Sequence, residues 1–302
     1  MMELVICSGK GGTGKTSVVA AFAALAEDFV LADCDVDAPN LHLVSEPTLE
    51  HRASFTAGHV ARIDPDLCVG CGDCRELCRF DAISGPDDPN RTAPFSVAPL
   101  RCEGCGVCVH FCPIGAISFP ARTCGEWFIS EAPHGPLVHA TLDVGAENSG
   151  KMVTRVREEA FRLAGSLNVP WVLVDGPPGI GCPVTAALTG ADLALLVTEP
   201  SMSGLHDLER IADLAAHFGV PALVCINKFD LSPLLTDRIE AFCRDRELPL
   251  IGRIPFEPKV NQAQAARCSL IDYAPRCEAA HVLKAMWHAI ERRTAGTSLA
   301  KG

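Results

Sequence analysis

The chain has 302 residues, 48% of them hydrophobic. That suffices to bury the core of one large α/β domain, or of such a domain with a small insert. No run of roughly 18 apolar residues is present, so no membrane-spanning helix is expected. The formal charge of -11 argues against a nucleic-acid coat, which needs clustered Lys and Arg, although it leaves room for a local basic patch.

The N-terminus has no charged segment followed by a cleavage site, and its apolar residues read as a first strand over 3–8. A cytoplasmic protein is expected. Next comes Ser8-Gly9-Lys10-Gly11-Gly12-Thr13-Gly14-Lys15-Thr16-Ser17, followed by an apolar helical run predicted over 15–27. Strand, glycine loop and helix in that order make a phosphate-binding loop. Glycines let consecutive amides converge on one anion, and the helix adds its positive end. Gly11, Gly12, Thr13, Gly14 and Ser17 would wrap the phosphates, Lys15 would reach the β- and γ-phosphates, and Thr16 would hold Mg2+. Phe29 to Ala32 reads as a second strand, ending in Asp33-Cys34-Asp35-Val36-Asp37. Acidic residues just past a buried strand sit where ligands bind in open α/β sheets.

After Leu43 the pattern becomes irregular, and from about 61 the chain repeats itself. Cys68, Cys71, Cys74 and Cys78 recur 34 residues later as Cys102, Cys105, Cys108 and Cys112, and Ala82-Ile83-Ser84 recurs as Ala116-Ile117-Ser118. Sixteen cysteines are many for a reduced chain, and the two tight quartets point to metal rather than to disulfides. Each quartet has the C-x2-C-x2-C-x3-C spacing of bacterial two-cluster ferredoxins, in which the fourth cysteine ligates the other cluster. Cys68, Cys71, Cys74 and Cys112 are therefore assigned to one [4Fe-4S] cluster. Cys102, Cys105, Cys108 and Cys78 are assigned to the other. Zinc competes for C-x2-C pairs, but a zinc site favours longer gaps between pairs. Pro113 follows the second quartet, whereas Arg79 follows the first.

Residues 136–143 read as a strand returning to the main sheet. Asn148 or Ser149 would cap a helix over 152–167, with Lys151 near its start. Trp171-Val172-Leu173-Val174-Asp175-Gly176-Pro177-Pro178-Gly179 has the Walker B pattern. Asp175 would hold Mg2+ through water, and the Gly179 amide would sense the γ-phosphate. Further βα units follow, with strands at 191–198, 220–226 and 250–254 and helices at 203–218 and 276–291. This alternation predicts an α/β fold: a mostly parallel, doubly wound P-loop NTPase sheet with helices on both faces. The predicted domains are a P-loop ATPase domain over 1–60 and 121–302, and an inserted small α+β ferredoxin-like domain over 61–120.

The second lysine, Lys10, makes the loop resemble the deviant Walker A motif, KGGxGK[ST], of the MinD/ParA class of ATPases, distantly related to the nitrogenase iron protein. The resemblance implies ATP-dependent dimerisation, with Lys10 reaching the partner subunit's nucleotide. It implies that Asp35 orients the attacking water, that Asp33 lies nearer the Mg2+ shell, and that Asp37 and Asn40 belong to a moving loop. It also implies that Asn227 hydrogen-bonds adenine and that Pro255, in IPFEPKV, lies near the base. The catalytic set is then Lys10, Lys15 and Asp35, with ATP or ADP, Mg2+ and two [4Fe-4S] clusters as cofactors.

Three functions fit. ATP could gate electron transfer from the clusters to a partner protein, the protein could build or insert a metal cluster, or it could be a positioning ATPase with structural or sensory clusters. The expected partners are a second copy or a paralogue, and a redox or metallocluster protein. No nucleic acid and no stable membrane association are expected, and hydrolysis is expected to be slow without a partner.

Overall fold

The computed structural model describes residues 1–44, 46–86, 93–143 and 149–297. They fall into two compact units, one of Met1–Ala53, Glu126–Thr141 and Ser149–Gly302, the other of Ser54–Gly125 and Leu142–Asn148. In chain order the elements begin with β1 (Met2–Ser8), α1 (Lys15–Ala23), β2 (Phe29–Asp33) and the long β3 (Thr48–His59). Short pieces follow: β4 (Arg62–Ile63), α2 (Asp73–Glu76), β5 (Ile83–Ser84), β6 (Ser96–Val97), α3 (Val107–His110) and β7 (Ile117–Ser118). The chain continues through β8 (Ala121–Ala132), β9 (Gly135–Leu142), α4 (Ser149–Leu167), β10 (Trp171–Pro178), α5 (Cys182–Leu188) and β11 (Leu193–Thr198). It ends with α6 (Met202–His217), β12 (Ala222–Asn227), α7 (Pro233–Asp245), β13 (Leu250–Ile254), α8 (Lys259–Ala265), α9 (Leu270–Tyr273) and α10 (Glu278–Thr297).

The first unit is built on sheet strands in the order β13-β12-β11-β1-β10-β2-β9. From β13 to β9 the pairings are parallel. Central strand β1 is apolar along nearly its whole length, and Leu4 to Cys7 are fully buried. A strand covered on both faces needs that composition, and only helix-linked parallel strands provide the cover. In α4, Met152, Val156, Ala160 and Ala164 are buried, one face at helical spacing. Trp287 of α10 packs its ring 5.4 Å from both Phe22 of α1 and Trp171 of β10, which seats the last helix on the core. All the parallel strands point one way. The loops after β1, β2, β10, β11, β12 and β13 therefore share one sheet edge, where such folds bind ligands.

Three expectations need correction. The first helix stops at Ala23 rather than 27, because Asp28 turns the chain into β2 at a φ of 52°. The stretch after Leu43 contains β3, a strand hidden by its polar sequence: only Phe55 and Ala57 in it are buried. The closing helix runs from Glu278 to Thr297 rather than over 276–291. The returning strand expected at 136–143 is β9, which pairs in parallel with β2 through Leu31 and Leu137. Asn148 lies outside the described residues, and α4 begins at Ser149.

The second unit carries the sequence repeat into its hydrogen bonding. Ile63 of β4 pairs with Ile117 of β7, and Ile83 of β5 pairs with Val97 of β6. Each pair joins the opening strand of one repeat to the closing strand of the other. The flanking bonds match as well: the Asp64 amide donates to the Ala116 carbonyl at 2.8 Å, and the Ala98 amide donates to Ala82 at 2.7 Å.

Candidate nucleotide site and cysteine cavities

The loop between β1 and α1 borders a cleft of about 940 Å³ in the first unit, a size suited to a nucleotide. Gly14 opens α1 at a φ of 94°, a backbone region that favours glycine. A Cβ there would also lie 2.3 Å from the Asn227 amide nitrogen. Gly11, Gly12, Gly14, Lys15, Thr16 and Ser17 line the phosphate end of the cleft, while Asn227, Pro255, Phe256 and Glu257 line another part of it.

Lys15 is buried, with Nζ 3.9 Å from Asp35 Oδ2. Thr16 Oγ1 donates to Asp175 Oδ2 at 2.7 Å. The other oxygen, Asp175 Oδ1, is buried with no hydrogen-bond partner, as is Thr13 Oγ1. A buried carboxylate oxygen left open beside a threonine hydroxyl fits a hydrated Mg2+ shell, and an open hydroxyl on the loop fits a phosphate. Burial pushes the Asp175 carboxyl up to about 6, against the pull of Lys15 and Thr16. Asp33 is raised well above the usual carboxylate range by burial, then by the charge of Asp175. Asp35 is raised by burial, with Lys15 opposing and Asp37 adding to it. Three crowded carboxyls with one buried ammonium make a site that gains from an added cation.

Several predicted residues are engaged in ways the sequence did not reveal. Asp33 turns its oxygens into the following loop, accepting from the Asp35 amide at 3.2 Å and the Leu41 amide at 3.1 Å. It braces the loop that carries Asp37 and Asn40, both of which line the cleft. The Gly179 amide donates to the Ser8 carbonyl at 2.9 Å. Asn227 Nδ2 donates to the Thr13 carbonyl at 2.7 Å, so its side chain steadies the phosphate loop. Ser17 Oγ accepts from Gln264 at 3.1 Å. Lys10 Nζ lies 2.6 Å from Glu199 Oε1 and donates to Ser201 and Ser203. Glu199 and Lys228 were missed. The turn after β11 carries no motif, and only its place at the shared sheet edge could have drawn attention to it.

In the second unit, two small cavities divide the predicted cysteines. Cys68, Cys71, Cys74 and Cys112 line one. Cys78, Cys102, Cys105 and Cys108 line the other. Each cavity thus takes three cysteines from one repeat and the fourth from its mate. Among the described residues, no group of three or more His, Cys, Asp or Glu side chains is placed to hold a metal ion. The Ala116 amide donates to Cys112 Sγ at 3.3 Å, the kind of outer contact that tunes a thiolate ligand. Gly104, at a φ of 62°, would place a Cβ 2.4 Å from the His59 carbonyl, so the cysteine loop packs there only as glycine. Burial pushes the Cys74 thiol up to about 11 and raises Cys108; a bound cation would be needed to hold them as thiolates. Cys124 is fully buried and donates to the Ala57 carbonyl at 3.2 Å. Its thiol is a packed hydrogen-bond donor.

Similarity to known proteins follows this geometry. Residues 4–269 match the family described as the CobQ/CobB/MinD/ParA nucleotide binding domain. The protein MJ0578 of Methanocaldococcus jannaschii is 37% identical over 232 residues, covering 76% of this chain and 78% of that one. The carbon monoxide dehydrogenase accessory protein CooC of Rhodospirillum rubrum is 30% identical over 119 residues, 38% of this chain and 43% of that one. The cell division ATPase MinD of Pyrococcus furiosus shares the fold with a TM-score of 0.54 at 20% identity, over 96% of this chain and 98% of that one. MinD of Pyrococcus horikoshii, solved with Mg-ADP, does so at 0.56 and 18%, over 97% of each chain. No described helix is long and apolar enough to cross a membrane. The matched span takes in the phosphate loop, the acidic ends of β2 and β10 and nearly all of the parallel strands, and the chain belongs to the CobQ/CobB/MinD/ParA family of P-loop ATPases.

Proposed function

We propose that this ATPase gates one-electron transfer from two [4Fe-4S] clusters to a partner protein. The observation that carries the reading is the pair of cysteine cavities, each completed by the other repeat, in a chain whose first unit is a P-loop ATP site. The cluster-bearing domain corresponds to about residues 61–120 and the ATPase domain to 1–60 and 121–302. When bound, a [4Fe-4S] cluster supplies one-electron redox chemistry at a potential set by its hydrogen bonds and solvent exposure. The cysteines hold it, and amides such as that of Ala116 donate to their sulfurs.

At the ATP site, Lys15 and the loop amides neutralise the β- and γ-phosphates. Thr16 and Asp175 hold Mg2+, with Asp33 fixing the loop behind them. Asp35 orients the attacking water. Its part is orientation rather than strong-base chemistry, so turnover is slow until a partner arrives. Lys10 reaches the nucleotide of a second subunit, whether a copy or a paralogue, and the Gly179 amide, on leaving the Ser8 carbonyl, reports the γ-phosphate. Asn227 and Pro255 border the base.

A second reading is favoured by the partial likeness to CooC, whose name makes it an accessory protein of a metalloenzyme. On that reading the ATPase helps build or insert a metal cluster. One experiment separates the two. The protein is reduced anaerobically, and its oxidation by cytochrome c is followed with ATP, ADP or no nucleotide, while iron loss to a chelator is recorded in parallel. Faster oxidation with ATP and retained iron are expected. Equal oxidation rates in all three states would sink the gating reading, and ATP-dependent iron loss would favour the accessory one.

A further inference from the structure

Lys10 does not point into the cleft. Its ammonium is held by three acceptors on the turn after β11 and the first turn of α6: Glu199 Oε1 at 2.6 Å, Ser203 Oγ at 3.0 Å and Ser201 Oγ at 3.1 Å. The second oxygen of Glu199 lies 3.2 Å from Lys228 Nζ, which also donates to the Gly12 carbonyl at 3.2 Å. One carboxylate thus sits between two lysines, one on the phosphate loop and one just after β12. All three side chains are less than a third exposed, so the pairs are screened less than surface ones.

The platform beneath Glu199 is rigid. Ser201 caps α6 by accepting from the Gly204 amide at 2.9 Å, and Thr198 Oγ1 donates to the Gly204 carbonyl at 2.9 Å. A Cβ on Gly204 would lie 2.2 Å from the Glu199 carbonyl. The loop is pressed onto the same helix, since a Cβ on Gly9 would lie 2.4 Å from the Asp207 carbonyl. Glu199 is therefore presented to Lys10 at a fixed place.

We infer that Glu199 is a positioning residue that latches Lys10 within its own subunit, so that nucleotide-driven pairing of two copies must first break the Glu199–Lys10 bond. The inference rests on the reading that Lys10 acts on the partner subunit's nucleotide. The chemistry is a competition between anions. A triphosphate supplies several negative charges, and an ammonium leaves one carboxylate and two hydroxyls only for a stronger anionic partner. With a diphosphate the competition favours Glu199, and the subunit stays single. Glu199 also keeps two lysines close together at the loop, and without it their mutual repulsion would free Lys10. The latch makes dimer formation a threshold response to the triphosphate.

The test is sedimentation of the full chain with AMPPNP or ADP across a range of protein concentrations, for wild type, Glu199→Gln and Ser203→Ala, with thermal melting as a check on folding. Glu199→Gln should half-dimerise with AMPPNP at about fivefold lower protein concentration, the shift that freeing a partly buried ion pair can supply. Ser203→Ala should shift it in the same direction by a smaller factor and decides the matter if Glu199→Gln does not fold. Folded variants that dimerise at the wild-type concentration or above would overturn the latch while leaving the trans-lysine reading intact. Wild type that stays single with AMPPNP at every concentration would overturn both.

Discussion

Thr16 Oγ1 donates to Asp175 Oδ2 at 2.7 Å, tying the first turn of α1 to β10. The bond leaves Asp175 Oδ1 buried and open, so the hydroxyl and the carboxylate together define one cation position. Thr16→Ala should lower ATP turnover by about a hundredfold, as expected when a reacting group loses its placement. The melting temperature should change little, and a phosphate-release assay beside a melting curve checks both.

Lys10→Ala should leave ATP affinity within about threefold of wild type, because Lys15 and the loop amides bind the nucleotide of their own subunit. ATP-dependent dimerisation should be lost. Fluorescent-nucleotide titration and light scattering on one sample separate the two effects, and a variant that dimerises normally would remove Lys10 from the interface.

The exchanged cysteines predict which cluster each substitution removes. Cys78→Ser should damage the same cluster as Cys102→Ser, and Cys112→Ser the same one as Cys68→Ser. Each should lower iron from about eight to about four atoms per chain. Pairwise comparison of the electron paramagnetic spectra of the reduced proteins checks the pairing. Cys78→Ser matching Cys68→Ser instead would rule out the exchange.

His139 on β9 is half-buried. It shares a hydrogen bond of 3.0 Å with Ser130 and stacks between Phe128 and His42. Burial, and then the nearby His42, bring its imidazole down to about 4 from 6.5. The folded chain therefore binds this proton less tightly than the unfolded chain does. Stability is fully present above pH 6.5 and is lost as pH falls towards 4. An amplitude of about 2 kcal/mol is expected, allowing for partial exposure. Urea unfolding of His139→Gln between pH 7 and 4.5 should lack that slope.

Gly9→Ala should cost about 2 kcal/mol or more, since its Cβ would lie 2.4 Å from the Asp207 carbonyl and 2.6 Å from its carbonyl carbon. Backbone cannot move aside as a flexible side chain can. Urea unfolding measures the loss.

Much of this was legible because the signals were local. A glycine loop after an apolar strand, Asp175 closing another, and two quartets with one spacing each need only a few consecutive residues. β3 escaped because a strand with little burial carries no apolar pattern, and its two buried residues, Phe55 and Ala57, are too few to mark a face. The engagement of Lys10 escaped for a different reason. Glu199 lies 189 residues away in sequence, and only the strand order, with β11 beside β1, brings the two together. Asn227 shows the same limit: its placement at the cleft was expected, but its bond to the Thr13 carbonyl depends on a side-chain direction that no motif specifies.

The crossed strands of the second unit carry a consequence for descent. Each opening strand finds its partner in the other repeat, and each cysteine cavity borrows one wall from across the duplication. Half of the unit, taken alone, would have neither a complete strand pair nor a cavity lined by four cysteines. A lone ancestral repeat could have closed its cavity only against a sister copy of itself. The two repeats are thus folded only as a pair, each supplying the other's closing strand and fourth cysteine.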